Sequence, residues 1–182
     1  MRDNGSTVPA VGMASTLGYQ HRRPNVVQRG FQALGSSKPG AWVFAKSLAP
    51  MDKAVKALSG GRTSAPAILA GLPVLWVTTT GRRSGQARTT PLIAVPVGDD
   101  ELALLGTNFG QSKNPAWVFN LEADPAASVR YRDQECAATA RPATEAERDE
   151  VWQRSTGIYG GYDKYQQRIT GRTVRIFVLD PA

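Results

Sequence analysis

Three arginines, Arg82, Arg83 and Arg88, stand on a glycine-punctuated turn inside Thr78-Thr79-Thr80-Gly81-Arg82-Arg83-Ser84-Gly85-Gln86-Ala87-Arg88-Thr89-Thr90-Pro91-Leu92, with strand-like sequence on either side. A guanidinium fork donates paired hydrogen bonds matched to phosphate or carboxylate oxygens, and a turn presents it without burying its charge. Gly81 and Gly85 let the backbone bend sharply and turn N–H groups toward the same ligand. The chemistry on offer is anion binding. The alternative is a solvated hairpin tip whose charge blunts aggregation.

The surrounding charge favours the anion site. Residues 1–98 hold twelve Lys or Arg against two acids, Asp3 and Asp52, whereas residues 99–182 hold ten against thirteen, so the net +7 divides into +10 and −3. Between Asp52 and Asp99 no carboxylate is available in sequence to neutralise the turn. An acidic ligand, an anionic membrane face and a nucleic acid are the partners this asymmetry permits.

A second constellation is Tyr159, Tyr162 and Tyr165, three residues apart in Ile158-Tyr159-Gly160-Gly161-Tyr162-Asp163-Lys164-Tyr165-Gln166. With a helix starting at Tyr162, Tyr162 and Tyr165 share a face. Three phenols can wall an apolar pocket while offering O–H groups to a substrate oxygen, or they can be a packing stripe with polar tips.

The chain that positions these groups has 182 residues, enough for one domain with a real core. One cysteine, Cys136, excludes an internal disulfide, and one histidine, His21, removes most metal sites and every Ser-His or Cys-His pair based on the core. Cys136 reads as a small apolar strand residue and His21 as a solvated tail residue. Chemistry here calls for a borrowed cofactor.

Residues 1–25 read as an unanchored leader and 26–70 as a helical extension, with helices over 26–37 and 40–59 and Pro50 as a break in the second. The 40–59 segment reads as an amphipathic covering helix, with peripheral membrane contact or pairing with another subunit as its alternatives. The leader lacks an apolar signal core, so a cytoplasmic protein is expected. From 71 to 182 the texture is that of a small, mostly antiparallel barrel. Strands are expected at Pro73–Thr80, Arg88–Val97, Glu101–Thr107, Ala127–Arg132, Glu135–Arg141 and Val174–Leu179. Asn114-Pro115 opens a helix as N-cap and first residue, Asp124-Pro125 stops it, and Thr144-Glu145-Ala146-Glu147 is a capping box for another.

In this order, the two constellations and the intervening Lys113-Asn114-Pro115-Ala116-Trp117-Val118-Phe119-Asn120-Leu121 resemble the deazaflavin-dependent nitroreductase family over roughly residues 71–180. Thr-Thr-Gly-Arg-Arg-Ser-Gly at 79–85, Arg88-Thr89-Thr90-Pro91-Leu92 and Asp124-Pro125 carry the likeness. The resemblance implies an α+β split β-barrel of about six strands with covering helices. It also implies coenzyme F420, a deazaflavin with a phosphate and an oligoglutamate tail, whose reduced form delivers hydride to quinones, nitroaromatics or activated alkenes. Carried over, Arg82, Arg83, Ser84 and Arg88 grip the phosphate. Thr89, Thr90, Pro91, Leu92, Gly106, Thr107, Asn108, Ala116 and Trp117 line the ring, and Tyr159, Tyr162 and Tyr165 shape the acceptor side, with Tyr162 first as proton or hydrogen-bond donor. The chain departs from the family in Thr107-Asn108-Phe109-Gly110-Gln111, where Phe109 is bulkier than the usual small residue. A homodimer paired across the cofactor site is in keeping with such barrels. The alternatives are an FMN-binding split-barrel oxidase or flavin reductase, a carrier without turnover, and a basic nucleic-acid module, which Trp42, Trp76 and Trp117 disfavour because they are not interleaved with the arginines.

Overall fold

A computed structural model describes residues 12–20 and 72–182. The expected helices at 26–37 and 40–59, their membrane-contact alternative and His21 lie outside the described residues. Six strands close into an antiparallel barrel in the order β1-β2-β3-β6-β5-β4. They are β1 (Val74–Thr80), β2 (Ala87–Val97), β3 (Glu101–Leu105), β4 (Ala126–Tyr131), β5 (Gln134–Pro142) and β6 (Ile176–Pro181). All six expected strands are present, with ends displaced by no more than two residues.

β2 turns the corner of the barrel. It pairs with β1 from Ala87 to Ile93 and with β3 from Ala94 to Val97, so one strand serves two neighbours in succession. Its side chains alternate between two cores, as strand geometry requires. Ala94 faces the barrel interior with Leu75, Val77, Leu102, Leu104 and Val129, whereas Val95 and Val97 face an outer cluster containing Val151, Ile158 and the three tyrosines.

Three further helices are described after β3. α2 (Ala116–Ala123) packs on β1, and α3 (Glu145–Ile158) lies across β2. α4 (Gly161–Arg168) follows α3 after a short break. The expected capping box opens α3, with the Thr144 side chain accepting from the Glu147 amide and the Glu147 carboxylate accepting from the Thr144 amide at 2.7 Å. Glu147 also takes a 2.7 Å ion pair from Arg141, which reaches Asp180 and Glu101 as well, tying β5, α3, β6 and β3 together. The Arg141 guanidinium holds the Glu147 carboxyl down to about 2. The α2 entry differs from expectation: Pro115 is the cap residue, and the Asn114 side chain is taken by Arg172 instead.

The leader also needs correcting. Residues 12–20, expected to be unanchored, form part of the barrel core. Here α1 (Met13–Leu17) buries Met13 and Leu17 in the interior cluster together with Tyr19. The single hydroxyl proton of Tyr19 is shared between the carbonyls of Ala94, at 2.9 Å, and Pro73, at 3.0 Å. The amides of Ala14 and Ser15 donate to Asp100. Gly12 is required at this seat, because a Cβ there would lie 2.5 Å from Asp100 Cβ. A five-residue helix has no stability of its own, so these tertiary contacts create it. Polar spacing in the sequence gives no sign of them.

Candidate functional site

The arginine turn is built by its ends. The β1–β2 register brings Thr80 opposite Ala87, leaving Gly81–Gln86 as the connection. The Gly81 amide donates to the Gln86 carbonyl at 2.8 Å, and the Gly85 amide to the Gly81 carbonyl at 2.7 Å. Gly85 has φ +65, a conformation that costs other residues energy, and a Cβ on Gly81 would lie 2.9 Å from Ser84 Oγ. The expectation that these two glycines aim free amides at a ligand is therefore corrected: both N–H groups are used inside the turn. The Arg82 amide is used too, donating to Asn120 Oδ1 at 3.1 Å.

Side chains are what this turn offers. Arg82, Arg83, Ser84 and Arg88 are all exposed. Among the described residues no carboxylate pairs with the three arginines; Arg82 stacks over Phe119 at 4.6 Å and Arg88 Nη2 donates to the neutral Gln86 Oε1 at 3.1 Å. Unneutralised guanidiniums beside a hydroxyl form a donor set for phosphate. Thr89 is exposed with its hydroxyl 2.9 Å from that of Thr78, and Thr90, Pro91 and Leu92 are half-buried along the same strand.

Asn120 positions the turn, and sequence reasoning assigned it no role of its own. It is buried on α2, donates from Nδ2 to Thr79 Oγ1 at 3.0 Å, and accepts the Arg82 amide on Oδ1. One amide thus joins α2, the end of β1 and the first arginine.

The loop after β3 holds Gly106, Thr107 and Asn108, the next of the expected site residues. Gly106 is buried where a Cβ would lie 2.8 Å from Val118 Cγ2, so only glycine lets β3 end against α2. Thr107 is buried, and a 3-10 turn follows at Asn108–Gly110. Asn108 and Phe109 have φ of +48 and +55, a left-handed pair in which Phe109 costs about 1–3 kcal/mol. Asn108 Nδ2 donates to the Lys113 carbonyl at 2.9 Å, and Phe109 stacks edge-on with Tyr165 at 6.2 Å. The loop after β3 and the tyrosine helix are therefore in contact. Ala116 is exposed at the start of α2, whereas Trp117 turns into the barrel core against Phe177 at 6.1 Å.

The tyrosines form a triangle with ring centroids 5.7, 5.9 and 6.3 Å apart. Tyr159 and Tyr165 bring their hydroxyls to 3.2 Å. Tyr162, 5% exposed, has no hydrogen-bond partner for its hydroxyl among the described residues. Burial pushes all three phenols above the ordinary tyrosine range, so they are neutral O–H groups at physiological pH.

The family model for F420H(2)-dependent quinone reductases matches residues 51–181. The chain belongs to this family. Membership makes it an F420H2-dependent reductase. The reductase is 31% identical over 110 residues to an F420H(2)-dependent quinone reductase of Mycobacterium tuberculosis, covering 59% of this chain and 72% of that one. A solved F420-H2 dependent reductase, FDR-A, is 33% identical with a TM-score of 0.54, covering 59% of this chain and 94% of the other. A structure described as a domain-swapped dimer is 27% identical with a TM-score of 0.56, covering 79% and 100%. The donor set of the reductase fits a phosphate-bearing coenzyme on its own chemistry: three guanidiniums without a carboxylate partner among the described residues, and Ser84, with Arg82, Arg83 and Ser84 on an exposed turn fastened to the helix that follows the Gly106–Asn108 loop and Arg88 exposed at the start of β2. Among the described residues no cluster of His, Cys, Asp or Glu suited to a metal occurs, and no helix is long and apolar enough to cross a membrane.

Proposed function

We propose that the reductase holds coenzyme F420 by its phosphate on Arg82, Arg83, Ser84 and Arg88. In this reading Thr89–Leu92, Gly106–Asn108 and Ala116 border the ring, and a small quinone, nitroaromatic or activated alkene is reduced against the tyrosine triangle. The observation that carries it is the unneutralised arginine turn, joined through α2 to a loop that itself touches the tyrosine helix. When bound and reduced, the deazaflavin supplies hydride rather than single electrons, carbon standing where a flavin has nitrogen. The chain's part is anchorage at the phosphate, orientation of the ring and a hydrogen bond where negative charge develops. Tyr162 suits the last task, because burial keeps it protonated while Tyr159 and Tyr165 engage each other.

The test of the coenzyme is a titration of the protein with F420 and, in parallel, with FMN, followed by tryptophan fluorescence at near-physiological salt. Tight binding of F420 alone supports the reading; preference for FMN moves the protein to flavin chemistry, and binding of neither overturns both.

Tyr162→Phe is expected to lower turnover about a hundredfold, the usual effect of removing one preorganised donor, with F420 affinity within about twofold of wild type. Because the hydroxyl removed has no partner among the described residues, the melting temperature should stay level or rise. Unchanged turnover would take the donor role away from Tyr162.

A further inference from the structure

The stretch from Gly106 to Asn114 folds around Arg172, a side chain from the segment between α4 and β6. All five guanidinium hydrogens are engaged. Nε donates to the Gln111 carbonyl at 3.1 Å. Nη1 donates to the Gly106 carbonyl at 3.0 Å and Asn114 Oδ1 at 2.6 Å, and Nη2 to the carbonyls of Thr107 at 2.9 Å and Gln111 at 3.0 Å. Every acceptor is neutral, and among the described residues no carboxylate pairs with the charge.

Only arginine can do this. A planar fork reaches acceptors spread over an arc of backbone, whereas an ammonium offers three donors from a single point. The strand end at Gly106 and the helix entry at Asn114 are thereby fixed to one rigid group. The left-handed Asn108–Phe109 pair lies between those two attachments and needs surroundings that over-determine it.

We infer that Arg172 is a positioning residue that sets the shape in which Gly106, Thr107 and Asn108 meet the coenzyme ring. This rests on the function proposed above. It separates two contributions to binding that the sequence motif merges: the β1–β2 turn recognises the phosphate, and the Arg172-centred loop recognises the ring.

The experiment titrates the wild-type 182-residue chain, Arg172→Met, Arg172→Lys and Arg88→Ala with two ligands, F420 and the deazaflavin fragment lacking phosphate and oligoglutamate. Melting temperature, kcat and acceptor KM are measured alongside. Arg172→Met is expected to weaken both ligands by a similar factor, about tenfold or more, with little recovery in Arg172→Lys and a larger fall in kcat than rise in acceptor KM. Arg88→Ala should weaken F420 and leave the fragment unaffected. Should Arg172→Met fail to fold, Arg172→Lys and Asn114→Ala, which removes only the 2.6 Å acceptor, carry the comparison. Wild-type affinity for both ligands in folded Arg172 variants overturns the inference. Absence of F420 binding in the wild type overturns the proposed function instead, and the inference with it.

Discussion

Replacing Arg82, Arg83 and Arg88 together by glutamine is expected to weaken F420 about a thousandfold or more while the melting temperature moves by only a few degrees. Each charge-assisted hydrogen bond contributes roughly 1.5–3 kcal/mol, and three acting on one phosphate fall short of additivity, which leaves about 4 kcal/mol at the lower end. The small stability effect follows from exposure: the side chains bury no charge, and the main interaction removed is the stacking of Arg82 over Phe119, which contributes about 0.5–1 kcal/mol at such a site. Wild-type affinity should also fall as salt is raised, because the attraction is between exposed charges. Equal affinity in the two proteins would make the turn a solvated hairpin tip, the alternative open at the level of sequence.

Leu17→Ala carries the largest expected effect on stability. Leu17 is 1% exposed inside the barrel cluster, and truncating such a leucine costs about 2–5 kcal/mol through forfeited transfer energy and the cavity left behind. For a chain of this size that lowers the midpoint of thermal unfolding by roughly 5–15 °C. The substitution lies in α1, far in sequence from the barrel strands, so the result reports directly on whether the leader is part of the folded unit. A melting temperature within a degree or two of wild type would mean that α1 is not seated in the barrel in solution. A Leu17→Met control, which keeps the volume, should cost less than about 1.5 kcal/mol.

These two sites differ in how well the sequence announced them. The arginine turn was readable because its determinants are local: glycines at fixed offsets, strand-like flanks and a run without carboxylates. The strands were readable for the same reason, as was the Thr144–Glu147 capping box, where both partners lie within one turn. What escaped was long-range. Asn120 meets the Arg82 amide 38 residues away, and Arg172 meets the Gly106 carbonyl 66 residues away. No spacing rule connects such pairs before the barrel is known. Asn114 shows the conflict in one residue: its type and its place before a proline fit an N-cap, yet Arg172 claims its side chain. Trp117 shows another limit, since the family resemblance implies that it lines the ring, whereas α2 turns it into the core against Phe177.

The seat of α1 has a consequence for the order of assembly. This helix touches β3, β5 and β6, and β3 is joined to β6 only through pairs such as Leu102 with Leu179, separated by most of the barrel sequence. Contacts so distant along the chain form slowly, since loop closure must be completed before they are rewarded. During synthesis the residues of α1 leave the ribosome before every barrel strand, yet their docking surface is incomplete until the last strand emerges. The earliest described segment to be made is thus the last that can dock, and until then Met13 and Leu17 are exposed apolar side chains on a nascent chain, the condition under which chaperone capture and misassociation compete with folding.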